Sequence, residues 1–148
     1  MDDPVILGKL ARVATLRRDR GAAALAEAAR AAAAREAALA RARGAEARAA
    51  DRLAEARALF AGDPACAQAR LWRQVTATRA TDARAKSAAD ARRMEEATAL
   101  QAEARAALIR AEVKAERAGR LHVRARVAQA TTRDEREAED RAQPRTCL

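Results

Sequence analysis

The sequence predicts an all-α protein in which two long helices form an antiparallel coiled-coil hairpin, with the second helix longer than the first. Three observations lead to this prediction. Alanine and arginine supply 48 and 27 of the 148 residues, a composition typical of long helices. A single strong interruption lies near the middle of the chain, and apolar residues before it recur every seven positions. Glycine, proline and aromatic residues are too few for a sheet or an aromatic-lined pocket.

The first helix is expected to span residues 4–61. Asp3 can cap its free amide groups, and Pro4 suits the first helical position because proline has no amide hydrogen to satisfy. At the other end, Gly62 suits the left-handed conformation in which many helices stop. The strongest helix-breaking signal of the chain therefore predicts a turn at residues 62–63.

The second helix is expected to span residues 64–142, with Asp63 as its cap and Pro64 in its first turn. Pro144 must stop the helix, which leaves a short tail at residues 143–148. Because a two-residue connection forces long helices to lie antiparallel, we expect one coiled-coil hairpin over residues 1–148.

Heptad spacing predicts which side of the first helix faces the second. The two rows run seven residues apart and include two charged positions, Arg35 and Glu46. Upstream, Ile6, Leu10 and Val13 follow a shifted phase, so a discontinuity is expected between Val13 and Leu25. The rows are Leu25, Ala32, Leu39, Glu46, Leu53 and Phe60, and Ala28, Arg35, Ala42, Ala49 and Ala56.

The turn position also predicts a register in which facing residues have numbers that add to about 125. This register leaves nearly twenty residues of the second helix without a partner. The middle of the paired region is mostly alanine and buries little area in each layer, so we expect this part of the hairpin to be only marginally stable. The same register pairs large apolar residues repeatedly: Leu53 with Trp72, Leu25 with Leu100, Leu16 with Ile109, Val13 with Val113, and Val5 with Leu121.

The charge balance argues weakly for an anionic partner. The net charge is +9, but 21 acidic residues are interleaved with the arginines, which is typical of a solvated coiled-coil surface. Basic residues alternating with stacking aromatics, the pattern of a nucleic-acid groove, are missing. We therefore expect no specific nucleic-acid binding, and a basic helical nucleic-acid-binding protein or a generic structural coiled coil remain the alternative classes.

Catalysis is not expected. His122 is the only histidine, and a two-helix hairpin offers no concave site for converging groups. No metal or other cofactor is therefore predicted. Cys66 and Cys147 fall at opposite ends of the expected hairpin, too far apart to bridge. With no membrane-spanning stretch and an acidic rather than basic start, we expect a cytoplasmic protein.

Two surfaces are candidates for partner binding. Phe60, Leu71, Trp72 and Val75 gather near the turn and either clamp that end of the hairpin or leave an aromatic edge for a partner. The far end of the second helix either frays in solvent or joins the chain start as a docking tip. That segment has no acid at residues 117–133 and carries Arg117, Arg120, Arg124, Arg126 and Arg133.

These features resemble the FliJ family of flagellar export proteins and its YscO-type counterparts in virulence secretion. The resemblance rests on the hairpin plan, on the chain length and on two segments. One is the mixed apolar and basic start, Val5-Ile6-Leu7-Gly8-Lys9-Leu10-Ala11-Arg12-Val13. The other is the charged end of the second helix with an Asp-Glu pair, Arg133-Asp134-Glu135-Arg136-Glu137-Ala138-Glu139-Asp140-Arg141.

The resemblance implies a non-enzymatic central stalk of a type III export apparatus. Its termini-bearing end would insert into the hexameric export ATPase and promote its activity, and the protein would sit in the cytoplasm at the membrane export machinery. The family also implies contacts with the export gate protein and with substrate chaperones. On this reading the ring contact would use Val5, Leu7, Leu10, Arg117, Arg120, Arg124, Arg126, Val127 and Arg133, and the turn-end contact Phe60, Leu71, Trp72 and Val75.

Overall fold

The computed structural model describes residues 3–142, and 96% of them are helical. Helix α1 spans Pro4–Gly62 and helix α2 spans Ala67–Ala142. The described residues contain no strand, and the two helices pack against each other. The predicted all-α fold of two long packed helices, the second longer, is confirmed. The predicted tail at residues 143–148, with Cys147, lies outside the described residues.

The start of α1 has the predicted cap. The Asp3 side chain accepts a hydrogen bond from the Val5 amide at 2.8 Å, and the Asp3 carbonyl accepts one from the Leu7 amide. Pro4 occupies the first helical position. The Val5 amide, which would otherwise be unsatisfied, therefore has a partner, and the Leu7 amide makes the first regular hydrogen bond of the helix.

The connection differs from the predicted two-residue turn. α1 continues through Gly62, and none of the described glycines has a positive φ. The Asp63 carbonyl accepts a hydrogen bond from the Cys66 amide at 3.2 Å, which closes a four-residue turn. Pro64 is the second residue of that turn, a position that favours proline. The Cys66 carbonyl accepts the first bond of α2 from Arg70, so α2 begins three residues later than predicted.

The chain forms two compact units, each built from a segment of both helices. The turn unit comprises Ala26–Glu103, and the terminal unit comprises Met1–Leu25 with Ala104–Leu148. In the turn unit, α1 faces α2 with the predicted heptad rows. Ala32, Leu39, Ala42 and Ala56 are buried there. Arg35 is the exception, since its long charged side chain is exposed to solvent.

The facing side of α2 in the turn unit is built from small and polar residues. Thr76, Ser87 and Asp90 are its buried members. The Thr76 hydroxyl donates to the Trp72 carbonyl one turn earlier, and the Asp90 carboxylate pairs with Arg93 on the same helix. Thr76 and Asp90 thus have partners within α2, so alanines of α1 can pack against them without leaving either group unpaired.

The terminal unit continues the same α1 rows without the predicted discontinuity. The two heptad rows, which begin at Leu25 and Ala28, extend toward the start of α1. Half-buried residues occupy the extended positions, namely Leu7, Ala11, Ala14 and Gly21. The large residues that suggested a shifted phase are instead exposed. Small residues occupy the interface because they allow closer approach of the two helices. The exposed residues are Ile6, Leu10 and Val13.

The observed register is shifted by about one helical turn from the predicted one. A Cβ added to Gly21 would lie 3.5 Å from the Leu108 Cα, and one added to Gly8 would lie 2.9 Å from the His122 ring. In the turn unit Glu46 pairs with Arg84. These pairs have numbers adding to 129 or 130. The large side chains predicted to meet are exposed instead, namely Val5, Val13, Leu16, Trp72, Leu100, Ile109, Val113 and Leu121.

The register also sets where α2 loses its partner. Pro4, the first residue of α1, accepts a hydrogen bond from His122 Nδ1 at 3.1 Å. α2 continues to Ala142, and beyond Ala125 its side chains are exposed through Arg141 except for the half-buried Glu137. Neither described helix combines the length and the apolar character needed to cross a membrane.

Candidate interaction surfaces

The terminal unit shows its largest apolar side chains to solvent. Among residues 3–141, ten of the fourteen exposed large apolar residues belong to it, and none of its described residues is buried. Exposed apolar side chains that cluster on one side of a helix commonly mark a binding site. The two helices carry separate parts of this surface.

On α1, the apolar part lies on the side turned away from α2. At 100° per residue, four of the five exposed residues lie on the side away from the half-buried row of Leu7, Ala11 and Ala14. The fifth, Leu10, lies at the edge of this side, roughly 60° around the helix from Leu7. Leu10 is 55% exposed. We call this set the α1 outer face: Val5, Ile6, Leu10, Val13 and Leu16.

On α2, a second apolar row lies opposite its packed side. The half-buried residues of this segment recur at steps of three and four, as Ala111, Ala115, Ala118, His122 and Ala125. The exposed row follows the same spacing on the far side of the helix. We call it the α2 outer stripe: Ile109, Val113, Glu116, Arg120, Val123 and Val127.

The arginines predicted as ring contacts are all exposed on α2. Two of them are paired with acids that lie just outside the acid-free segment: Arg120 with Glu116, and Arg133 with Glu137. Within residues 3–142, no ion pair is formed by the other three. They are Arg117, Arg124 and Arg126.

The predicted ring-contact set does not form one face. Val5 and Leu10 lie on the α1 outer face, whereas Val127 and Arg120 lie on the outer side of α2. The two outer faces point away from each other because the interface between α1 and α2 lies between them. Leu7 belongs to neither face, since it is half-buried against α2.

The turn-end set lies in the turn unit and is divided between packing and exposure. The Arg73 guanidinium lies 4.1 Å from the centre of the Phe60 ring, a cation–π contact between the helices. Phe60 and Val75 are half-buried. Leu71 and Trp72 are exposed, the indole at 39%, and Leu59 adds a third exposed apolar side chain that the sequence reasoning did not select.

Four residues of the α2 outer stripe also escaped the sequence reasoning. Ile109 and Val113 were placed in the helix interface, and Glu116 and Val123 were given no role. The spacing of four and three from residue 109 to residue 127 is visible in the sequence. It was hidden because large apolar residues were expected to face the other helix.

The described residues offer little for small-molecule chemistry. No group of three or more His, Cys, Asp or Glu side chains among residues 3–142 is arranged to hold a metal ion. A shallow groove in the turn unit is lined by Arg48, Arg52 and Arg79 beside Thr76. The Thr76 hydroxyl is committed to carbonyls of its own helix, so it presents no free donor to the groove.

The fold and these surfaces define an all-α, two-helix protein with exposed apolar rows. Among protein-family models, curated proteins and solved structures, comparison found no match to this chain.

Proposed function

We propose that this chain is a non-enzymatic central-stalk component of a type III export apparatus. Its terminal unit enters the ring of the hexameric export ATPase and promotes ATP hydrolysis, while the protein works in the cytoplasm at the membrane export machinery. The stalk carries out no chemistry. It presents different sides to identical ring subunits, and the resulting coupling free energy favours closure of some nucleotide sites over others.

One observation carries this proposal: the unit that holds both chain ends exposes ten large apolar side chains and contains no buried described residue. Such a surface is costly in water and becomes favourable when a partner covers it. A ring lumen contacts a stalk from several sides at once. Exposed rows on opposite sides of the terminal unit suit that geometry.

The charges support the same partner. Arg117, Arg124 and Arg126 are exposed and make no ion pair within residues 3–142. Uncompensated arginines near an apolar row suit a lumen lined by acids, where they would steer association. The exposed Leu71 and Trp72 of the turn unit are then the candidate surface for the export gate protein or a substrate chaperone.

The test is hydrolysis by the cognate export ATPase with and without the purified chain, together with co-sedimentation. We expect stimulation and binding. Arg124→Glu with Arg126→Glu should weaken both while far-UV circular dichroism stays unchanged. The matched control is Arg41→Glu with Arg43→Glu, since both pairs flank a single alanine that faces the other helix, and both are exposed.

Each alternative class predicts a different result. A structural coiled coil would leave ATP hydrolysis unchanged and would not co-sediment with the ring. A basic nucleic-acid-binding helix would bind random duplex DNA with an affinity that falls steeply with salt. Equal losses in the terminal and control arginine variants would show that total charge, rather than this surface, determines ring binding.

A further inference from the structure

The α2 outer stripe has a symmetric spacing, with apolar residues at both ends and two opposite charges at the centre. Its members are separated by steps of four, three, four, three and four residues. Apolar side chains occupy the two positions at each end, and one acid and one base occupy the centre. In chain order they are Ile109, Val113, Glu116, Arg120, Val123 and Val127.

All six side chains point to one side of α2. At 100° per residue they fall within about 80° of arc, on the side away from α1. Each of the four apolar residues is between 52% and 60% exposed. The side chains of Glu116 and Arg120 are 61% and 70% exposed and pair with each other one turn apart. The stripe is therefore a second coiled-coil seam without a partner helix.

We propose that a second copy of this chain packs on the α2 outer stripe in antiparallel orientation. A two-fold axis between Glu116 and Arg120 brings together residues whose numbers add to 236. Ile109 then faces Val127 of the second copy, and Val113 faces Val123 of the second copy. At the centre, Glu116 of each chain meets Arg120 of the other, so apolar residues meet apolar residues and opposite charges meet.

Charge complementarity selects this occupant and orientation. In a parallel pair, Glu116 would face Glu116 and Arg120 would face Arg120, which is repulsive at both positions. In the antiparallel pair both contacts are attractive. The acid and base already pair within one chain, so neither of these two central charges is left unpaired when the second copy approaches.

The flanks of the stripe limit the affinity. Along one side, Arg110, Arg117 and Arg124 form a row that meets the same row of the second copy. Along the other side, Glu112 approaches Arg126 of the second copy and compensates in part. The stripe is about 27 Å long and offers four large apolar residues from each chain, which places the interface near the lower end of specific interface sizes. We therefore expect a reversible dimer, not a permanent one.

This inference does not depend on the proposed function, because it concerns the isolated chain. The dimer nevertheless affects the proposed contact with the ATPase ring. The dimer covers Arg120 and Val127, two residues of the predicted ring contact. A chain in the dimer thus cannot offer the outer side of α2 to another partner.

The first test is a charge exchange followed by sedimentation equilibrium at micromolar to submillimolar concentration. Glu116→Arg and Arg120→Glu, each alone, should raise the dissociation constant at least about tenfold, because both symmetric ion pairs become repulsive. A mixture of the two variants should dimerise again, since every central contact is then between opposite charges. Glu55→Arg, an exposed acid of the turn unit, should leave dimerisation unchanged.

The second test fixes the register by cross-linking. In a Cys66→Ser, Cys147→Ser background, Val113→Cys mixed with Val123→Cys should form an interchain disulfide under mild oxidation, and neither variant should do so alone. Cross-linking of each variant with itself would indicate a parallel pair and overturn the proposal. A wild-type chain that remains monomeric at submillimolar concentration, or a mixture of charge variants that fails to recover, would overturn it as well.

Discussion

The turn unit and the terminal unit share heptad spacing but differ in composition, since alanine is much more frequent in the turn unit, and they distribute their apolar side chains differently. In the part of the chain that the structure describes, all seven buried residues lie in the turn unit, between Ala32 and Asp90, while ten of the fourteen exposed large apolar residues lie in the terminal unit. Small side chains face inward in both units. The difference is that the terminal unit has additional large side chains, and these have no space between closely packed helices.

The comparison shows that side-chain size decides which residues face inward in this chain. Two helices alone cannot enclose large residues on all sides, so each large residue at the interface pushes the helices apart. Alanine, threonine and serine let the helices approach closely and gain dispersion contacts along their length. The turn unit is thus closely packed even though most of its buried side chains are small, with Leu39 as the large exception.

The largest expected difference between the two units is in the stability lost when a leucine is shortened to alanine. Leu39 is a buried large residue of the turn unit, whereas Leu10 is an exposed one of the terminal unit. Leu39→Ala should lower the free energy of unfolding by about 2–3 kcal/mol, and Leu10→Ala by less than about 1 kcal/mol. Urea denaturation followed by circular dichroism measures both. Equal losses would contradict the assignment of the core to the turn unit.

Overpacking provides the next contrast. Ala56 is fully buried, so Ala56→Leu should destabilise the protein by about 1–3 kcal/mol because the helices must separate. The control Ala14→Leu lies on the same helix at a half-buried interface position of the terminal unit. It should cost clearly less. A larger cost at Ala14 would mean that the terminal unit is the more tightly packed of the two.

The glycines of the terminal unit test how closely its helices approach. Gly21→Ala places a methyl group at an ordinary contact distance from Leu108 and should stabilise α1 by up to about 1 kcal/mol. Gly8→Ala brings the methyl group against the His122 ring and displaces it from the Pro4 carbonyl, so the same gain in helix propensity should be offset. Thermal melting of both variants and an NMR shift of the imidazole signals check this pair.

The smallest expected effect concerns the pair Glu46 and Arg84, which joins the helices of the turn unit at 3.6 Å. Arg84 is largely exposed, so a double-mutant cycle with Glu46→Gln and Arg84→Gln should give a coupling energy of at most about 1 kcal/mol. That coupling should decrease as salt is added. A coupling well above this, or one insensitive to salt, would show that the contact is far less solvated than the structure has it.

The sequence was sufficient to predict the two helices and the inward side of α1 in the turn unit. Leu39 and Leu53 recur at heptad spacing among alanines, so their positions mark that side clearly. The cap at Asp3 and Pro4 was also readable, because both residues act on their immediate neighbours. Each of these signals is local, or repeats at short range.

The inward side of α2 and the register were not readable in the same way. Thr76, Ser87 and Asp90 carry no apolar signal, and the burial of Thr76 and Asp90 depends on partners within their own helix. The register was predicted from a turn at residues 62–63, and the matching of large residues such as Leu25 and Leu100 supported it. The connection is the longer turn from Asp63 to Cys66, so its centre lies further along the chain and the facing numbers add to 129 or 130. The matches of large residues gave no warning because those side chains are mostly exposed, and for the same reason the α2 outer stripe was not recognised.

The small buried side chains of the turn unit also bear on how the protein responds to temperature. Heat capacity rises on unfolding mainly because apolar surface becomes hydrated, by about 12–15 cal/mol/K per residue in ordinary domains. A helix pair joined through alanine, serine and threonine hydrates less such surface when it opens. Its stability curve should therefore be shallow, with a broad calorimetric transition and little loss of folded protein in the cold.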